Sequence, residues 1–202
     1  MNINEEIKQS RFHLLIENAI DVTDEITITG MIHGEANIHQ LVYLLLPNRS
    51  ILATIIKDII VNGERKESVC DEEATIILKD TKGLTNIPRF SCLTSIQPQT
   101  TIDPSIPAEN PYIRALSYEY KKYLQDQEFF PIFISELVHA HFVTPMFLNG
   151  ESQSENGKVI IKKDSTMSFP ALPDPRDNSK RVFPVVTDWV ELTKWTSLFV
   201  GK

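Results

Sequence analysis

Ile26-Thr27-Ile28-Thr29-Gly30-Met31-Ile32-His33-Gly34 decides the fold of the first half of this chain. Its opening run alternates β-branched apolar and polar residues, the two-residue period of a strand with one face buried. Working outward, similar short runs recur at Leu41–Leu46, Ile51–Val61 and Ala74–Leu78, separated by Gly, Asn and Asp. Gly30, Gly34, Gly63 and Gly83 fall between the runs, where a turn with positive φ costs glycine least. Short strands at regular spacing without intervening helices predict an all-β barrel or sandwich from Phe12 to Ile96, with about six strands.

The pattern changes after Gln97. Pro98, Pro104, Pro107 and Pro111 lie among Thr, Asp, Ser and Glu, which predicts an extended linker over residues 97–111. Asn110-Pro111 reads as a helix cap followed by a first-turn proline. Ile113, Leu116, Tyr120, Tyr123 and Leu124 then recur at intervals of three and four, lining one helical face. A second helix is predicted over Phe129–His139, strands over His141–Leu148, Lys158–Lys162 and Val182–Thr187, and a last helix containing Trp189, Leu192 and Trp195 behind a Thr187-Asp188 cap. Two polar segments, Asn149–Gly157 and Pro173–Arg181, are predicted as loops. The expectation is therefore two modules: a β-barrel over 1–96 and an α+β module over 112–202.

Composition excludes several function classes. The 42% hydrophobic and 23% charged content is that of a folding domain rather than a disordered segment. Twenty basic against 27 acidic side chains leave a net charge of -7, and neither half is basic, which argues against nucleic acid or anionic lipid as partner. The longest apolar stretches, Leu41–Pro47 and Phe129–Leu137, are far shorter than the roughly 20 residues of a membrane span, and Met1–Arg11 has no signal-peptide pattern. Two cysteines, Cys70 and Cys92, are too few for a disulfide framework, and reduced thiols fit a cytoplasm.

Four groups of residues invite a chemical reading. His139-Ala140-His141 places two imidazoles at strand spacing, the most suggestive metal-like pair; the plainer reading sets His139 at a helix end, where a partly cationic ring suits the negative pole, and His141 at the start of a strand. His33 and His39, beside Gly34, read as solvated hairpin residues. Asp21-Asp24-Glu25 and Asp71-Glu72-Glu73 lack the calcium-loop pattern, Cys70 adjoins Asp71, which raises a thiol pKa, and neither Ser91 nor Ser168 stands in a Gly-x-Ser-x-Gly elbow. Trp189, Trp195, Phe183 and Phe199 would make an aromatic contact surface for a partner, or pack as a core.

Two family resemblances add to this reading. Phe12–Ile16, Ile28–Glu35, Ile55–Ile59 with Asn62-Gly63, and Asp71–Ala74 together resemble the second domain of elongation factor Tu and related translational GTPases, a small β-barrel with a glycine pair around a tight hairpin. No Gly-x-x-x-x-Gly-Lys-[Ser/Thr] run occurs in the sequence, so the resemblance implies that fold without the phosphate cradle of a GTPase. Asn110-Pro111 before the Tyr112–Tyr123 helix, Phe129–Leu137 leading into Phe142-Val143-Thr144-Pro145, and Phe183–Asp188 followed by Leu192 and Trp195 resemble the amino-terminal domain of the bacterial SseB family. That family continues past the tryptophan, so the expectation is either a fragment of a longer chain or an abbreviated second module, and the family carries no catalytic residues to transfer.

The functional expectation is a non-enzymatic binding or scaffold protein of a bacterial cytoplasm, with a protein partner and no cofactor. The alternatives are an RNA- or ribosome-associated factor using the barrel, and a metal-dependent hydrolase built on His139 and His141.

Overall fold

A computed structural model describes residues 11–22, 25–79, 86–99, 101, 106–149, 152–155, 158–161 and 165–197. It divides into two units, the first holding the described residues up to 101 together with Glu109–His141, the second residues 106–108 and the described residues from Phe142 onward.

The first unit is a closed six-stranded antiparallel β-barrel with a helical hairpin. Among the described residues its nine strands are β1 (Phe12–Leu15), β2 (Asn18–Val22), β3 (Glu25–Asn37), β4 (Leu41–Leu45), β5 (Ile51–Val61), β6 (Glu64–Lys66), β7 (Ser68–Cys70), β8 (Glu73–Lys79) and β9 (Cys92–Thr94). The wall runs β1–β9–β4–β5–β8–β3 and closes where Phe12, His13 and Leu14 pair with Gly34, His33 and Ile32. Closure removes the unpaired edges that an open sheet would present. β2, β6 and β7 extend β3 and β5 beyond the wall.

Strand alternation fills the interior. Ile26, Ile28, Ile32, Val42, Leu44, Ile56, Ile76 and Leu78 all turn inward and are buried, while their neighbours face out. β5 breaks the rule once: its inward residues are Thr54 and Ile56 before Lys57, but Ile59 and Val61 after it. The register against β8 shifts between Ile56 and Asp58, so Lys57 is the extra residue of a β-bulge that changes the parity of the strand.

Gly30 and Gly34 do not lie in turns, as the sequence predicts, but inside the thirteen-residue β3. Each is there because another backbone comes close. A Cβ on Gly30 would stand 2.4 Å from the Leu15 carbonyl oxygen, and one on Gly34, whose φ is +101°, would stand 2.0 Å from that of Arg11. The predicted hairpin turn is found at Asn62-Gly63, where both residues have positive φ, as a type I′ turn requires. Gly83 lies outside the described residues.

Both faces of β1 and β9 are buried, which a barrel wall alone does not bring about. The cover is the pair α1 (Pro111–Tyr123) and α2 (Phe129–His139). Leu15, Leu45, Phe90 and Cys92 on the outside of the wall form one cluster with Tyr112, Ala115, Leu116, Tyr123 and Phe129. This corrects the expected boundary. The helices follow a proline-containing segment, yet their apolar faces are satisfied by the barrel, so residues 109–141 belong to the first unit rather than to an α+β module beginning at 112.

In the second unit, three two-stranded sheets among the described residues pair β10 (Phe147–Asn149) with β13 (Thr166–Ser168), β11 (Ser152–Glu155) with β12 (Lys158–Ile161), and β14 (Leu172–Asp174) with β15 (Asp177–Val182). The segments predicted as loops thus contain polar hairpins, held by turn bonds such as Arg176 N–H to Asp174 Oδ1 at 2.9 Å. The strand expected over His141–Leu148 shortens to β10 and a single bridge between Val143 and Val186. α3 (Trp189–Ser197) begins where predicted, Asp188 accepting the Glu191 N–H at 3.0 Å.

Candidate functional site

The helical hairpin is fastened to the barrel by polar contacts at its rim and aromatic ones at its centre. Phe90 meets Tyr123 and Phe129 edge-on, at centroid distances of 5.0 and 5.3 Å, and its carbonyl accepts the Tyr112 hydroxyl at 2.7 Å. Arg89 lies over the Phe90 ring and pairs with Asp126 at 2.7 Å. Around the edge, Arg11 pairs with Glu109 at 2.7 Å and Lys122 with Glu17 at 2.5 Å. His33 on β3 donates from Nε2 to Glu119 of α1 at 2.6 Å, with Tyr118 stacked on its ring at 4.5 Å.

Beneath this edge His13 is 3% exposed. Thr94 gives its hydroxyl proton to the Phe12 carbonyl, so His13 donates from Nδ1 to Thr94 Oγ1 at 3.2 Å and is neutral. Burial, reinforced by Arg114, His33 and Arg11, pushes its pKa down to about 3.

Asn110 shapes the far end of the hairpin. It does not cap α1; its amide instead clamps the backbone of His141, donating to the carbonyl at 2.7 Å and accepting the N–H at 2.9 Å. That double bond draws the exit of α2 against the entry of α1. Between these ends and the β4–β5 turn lies a cleft of about 340 Å³, with Leu45, Ile51, Tyr112 and Ile113 among its walls. The turn is tight: the Arg49 N–H reaches the Leu46 carbonyl at 2.8 Å, with φ +69° at Arg49.

Arg49, Glu136, His139 and His141 bring charge and hydrogen-bonding capacity to this cleft. Burial raises the pKa of the Glu136 carboxyl, although Arg49 and His139 pull the other way. No cation lies within 4.0 Å of that carboxylate, and no anion within that distance of Arg49, among the described residues. A half-buried carboxylate and an exposed guanidinium thus line one concave site without an ion pair between them inside 4.0 Å.

His139 is the last residue of α2 and donates from Nδ1 to the Ser135 carbonyl at 2.7 Å, which is the helix-end reading of that residue. His141 follows in extended backbone and lines the same cleft; no three His, Cys, Asp or Glu side chains come within shared reach of an ion among the described residues. His33, read from sequence as a solvated hairpin residue, is instead an anchor of α1. Asp71 belongs to a strand crossing, accepting the Gly34 N–H at 2.8 Å. Cys70 is exposed, its pKa raised by desolvation and by Asp71; Cys92 is buried and its pKa also raised. Trp189 is 41% and Phe183 53% exposed, the latter edge-on to Phe169 at 5.4 Å. Trp195 lies within α3 and Phe199 outside the described residues.

Sequence reasoning missed Arg49, Glu136 and His13. The signals were present: a single carboxylate in the otherwise apolar helix Phe129–Val138, an arginine in the Pro47–Ser50 turn, and a histidine inside the apolar run Phe12–Ile16.

None of the helices among the described residues is long and apolar enough to cross a membrane. No family model and no curated protein matches the chain, so the SseB resemblance gains no support from either. Among solved structures, the apo crystal structure of translation elongation factor SelB from Methanococcus maripaludis is similar over 43% of this chain and 19% of its own, at 19% identity and a TM-score of 0.36. The chain spans about a fifth of the length of that factor.

Proposed function

We propose that this chain is a non-enzymatic binding protein that receives its partner at the cleft between the β4–β5 turn and the ends of α1 and α2. One observation carries this reading. The carboxylate of Glu136 and the guanidinium of Arg49 face a common cavity with no opposite charge of the protein within 4.0 Å, among the described residues. Glu136 is half-buried while Arg49 is exposed, and a carboxylate drawn partly out of water is ordinarily completed by something else. A cytoplasmic setting accords with two unpaired cysteines, one of them exposed.

The SseB-like reading of the second unit stays a proposal. It draws on the Val143–Val186 bridge and on the Thr144 hydroxyl donating to the Pro184 carbonyl at 2.9 Å, which join the two segments that carry the resemblance.

Affinity capture from a cell extract, with wild-type chain beside Glu136→Gln and Arg49→Gln, tests the function. A reproducible partner lost with both substitutions is the expected result. Turnover of any captured compound by the purified chain would replace a binding protein with an enzyme.

A further inference from the structure

Resting on that reading of the cleft, we propose that its ligand is a small zwitterion with an apolar side chain, a free amino acid or short peptide, its ammonium held by Glu136 and its carboxylate by Arg49. The case begins with the two charges. A ligand of single positive charge would meet Glu136 favourably but would lie in the field of Arg49, and a simple anion would face the reverse conflict. Only a molecule carrying both signs completes both groups.

The other polar groups around the cleft narrow the choice. Glu109 is engaged by Arg11, the Asn110 amide by the His141 backbone, and Nδ1 of His139 by Ser135. Glu136 and Arg49 are therefore the two charged contacts the cleft offers without an ion pair inside 4.0 Å, although Arg49 and His139 act on Glu136 from further away. Desolvation of Glu136, which disfavours its ionised form, is relieved by an arriving ammonium.

The remaining wall specifies the tail. Leu45, Leu46, Ile51 and Ile113 are aliphatic, and a cleft of about 340 Å³ is at the small end of ligand pockets. An aliphatic side chain the size of leucine fits that wall, and there is space for a second residue.

The test uses the full chain labelled with ¹⁵N and four probes: L-leucine, Leu-Leu, leucinamide, which lacks the carboxylate, and N-acetyl-leucine, which lacks the ammonium. L-leucine or Leu-Leu is expected to shift the amides of Ser50, Ala140 and His141 saturably, whichever binds more tightly marking the free amino acid or the peptide. Leucinamide and N-acetyl-leucine are each expected to bind at least about tenfold more weakly. Glu136→Gln should abolish the advantage of L-leucine over N-acetyl-leucine, and Arg49→Gln its advantage over leucinamide.

Equal binding of all four probes, or no shift up to about 10 mM of any of them, overturns the proposal. A macromolecular partner captured through the cleft alongside silent probes would overturn the zwitterion and leave the binding reading standing. Binding followed by turnover of Leu-Leu would do the opposite.

Discussion

His33 Nε2 and Glu119 Oε1 meet at 2.6 Å and thereby join the barrel strand β3 to helix α1. Both side chains are largely buried, at 22% and 10% exposure, so the contact is not a solvated surface pair. A double-mutant cycle over His33→Gln and Glu119→Gln should return a coupling of about 1 to 2 kcal/mol in urea unfolding. Additive effects would mean that the Tyr118 stack, not the hydrogen bond, seats the helix.

Acid should unfold the first unit through two groups of the same sign. His13 has a folded pKa of about 3 against an ordinary 6.5, so the unfolded chain binds the extra proton; its contribution is whole above pH 6.5 and is lost progressively as pH falls towards 3. Glu119 is held below its ordinary 4.5 mainly by the hydrogen bond from His33, and its contribution likewise disappears as pH falls below 4.5. The urea midpoint should therefore decline steadily below pH 6.5, and His13→Asn, which keeps a donor near the Nδ1 position, should flatten the upper part of that decline.

Removing the central ring of the hairpin should loosen the helices. Phe129 is fully buried among Phe90, Tyr120, Tyr123 and Phe133, and Phe129→Ala should cost about 3 to 5 kcal/mol. A fragment ending at residue 99 should bind a hydrophobic dye strongly, because Leu45, Phe90 and Cys92 lose their cover. A weakly staining, sharply melting fragment would show that the barrel needs no lid.

Glycine substitutions should separate steric from conformational cost. Gly34→Ala, with its Cβ 2.0 Å from a backbone oxygen, should destabilise by about 3 kcal/mol or more, whereas Gly63→Ala, with nothing within 4 Å but φ +81°, should cost about 1 kcal/mol. Thermal melts of the two variants make the comparison.

Much of the local structure was legible in the residues. The alternation in Ile26–Thr29 and Ala74–Leu78, and the three-four spacing from Ile113 to Leu124, locate strands and a helix because each period is written into a few consecutive side chains. What the helices cover is not written locally. The face of α1 bearing Tyr112, Leu116 and Tyr123 states only that it needs an apolar partner, and the choice of the barrel wall depends on Leu15, Leu45 and Phe90 much earlier in the chain. Gly30 and Gly34 misled for a related reason: a glycine that admits a crossing backbone and one that makes a turn look alike until the crossing strand is placed. The cleft was equally hidden, since Arg49 and Glu136 come together only once α2 has been laid beside the β4–β5 turn.

Lys57 carries a consequence for how this barrel tolerates change in its gene. Losing that one codon would remove the bulge and leave Ile56, Ile59 and Val61 in strict alternation on the inner face, since Asp58 already pairs with Ile77 and Ile59 with Ile76. Substituting Lys57 keeps the bulge and should be mild, and deleting it should straighten β5 while keeping its second half in phase with β8.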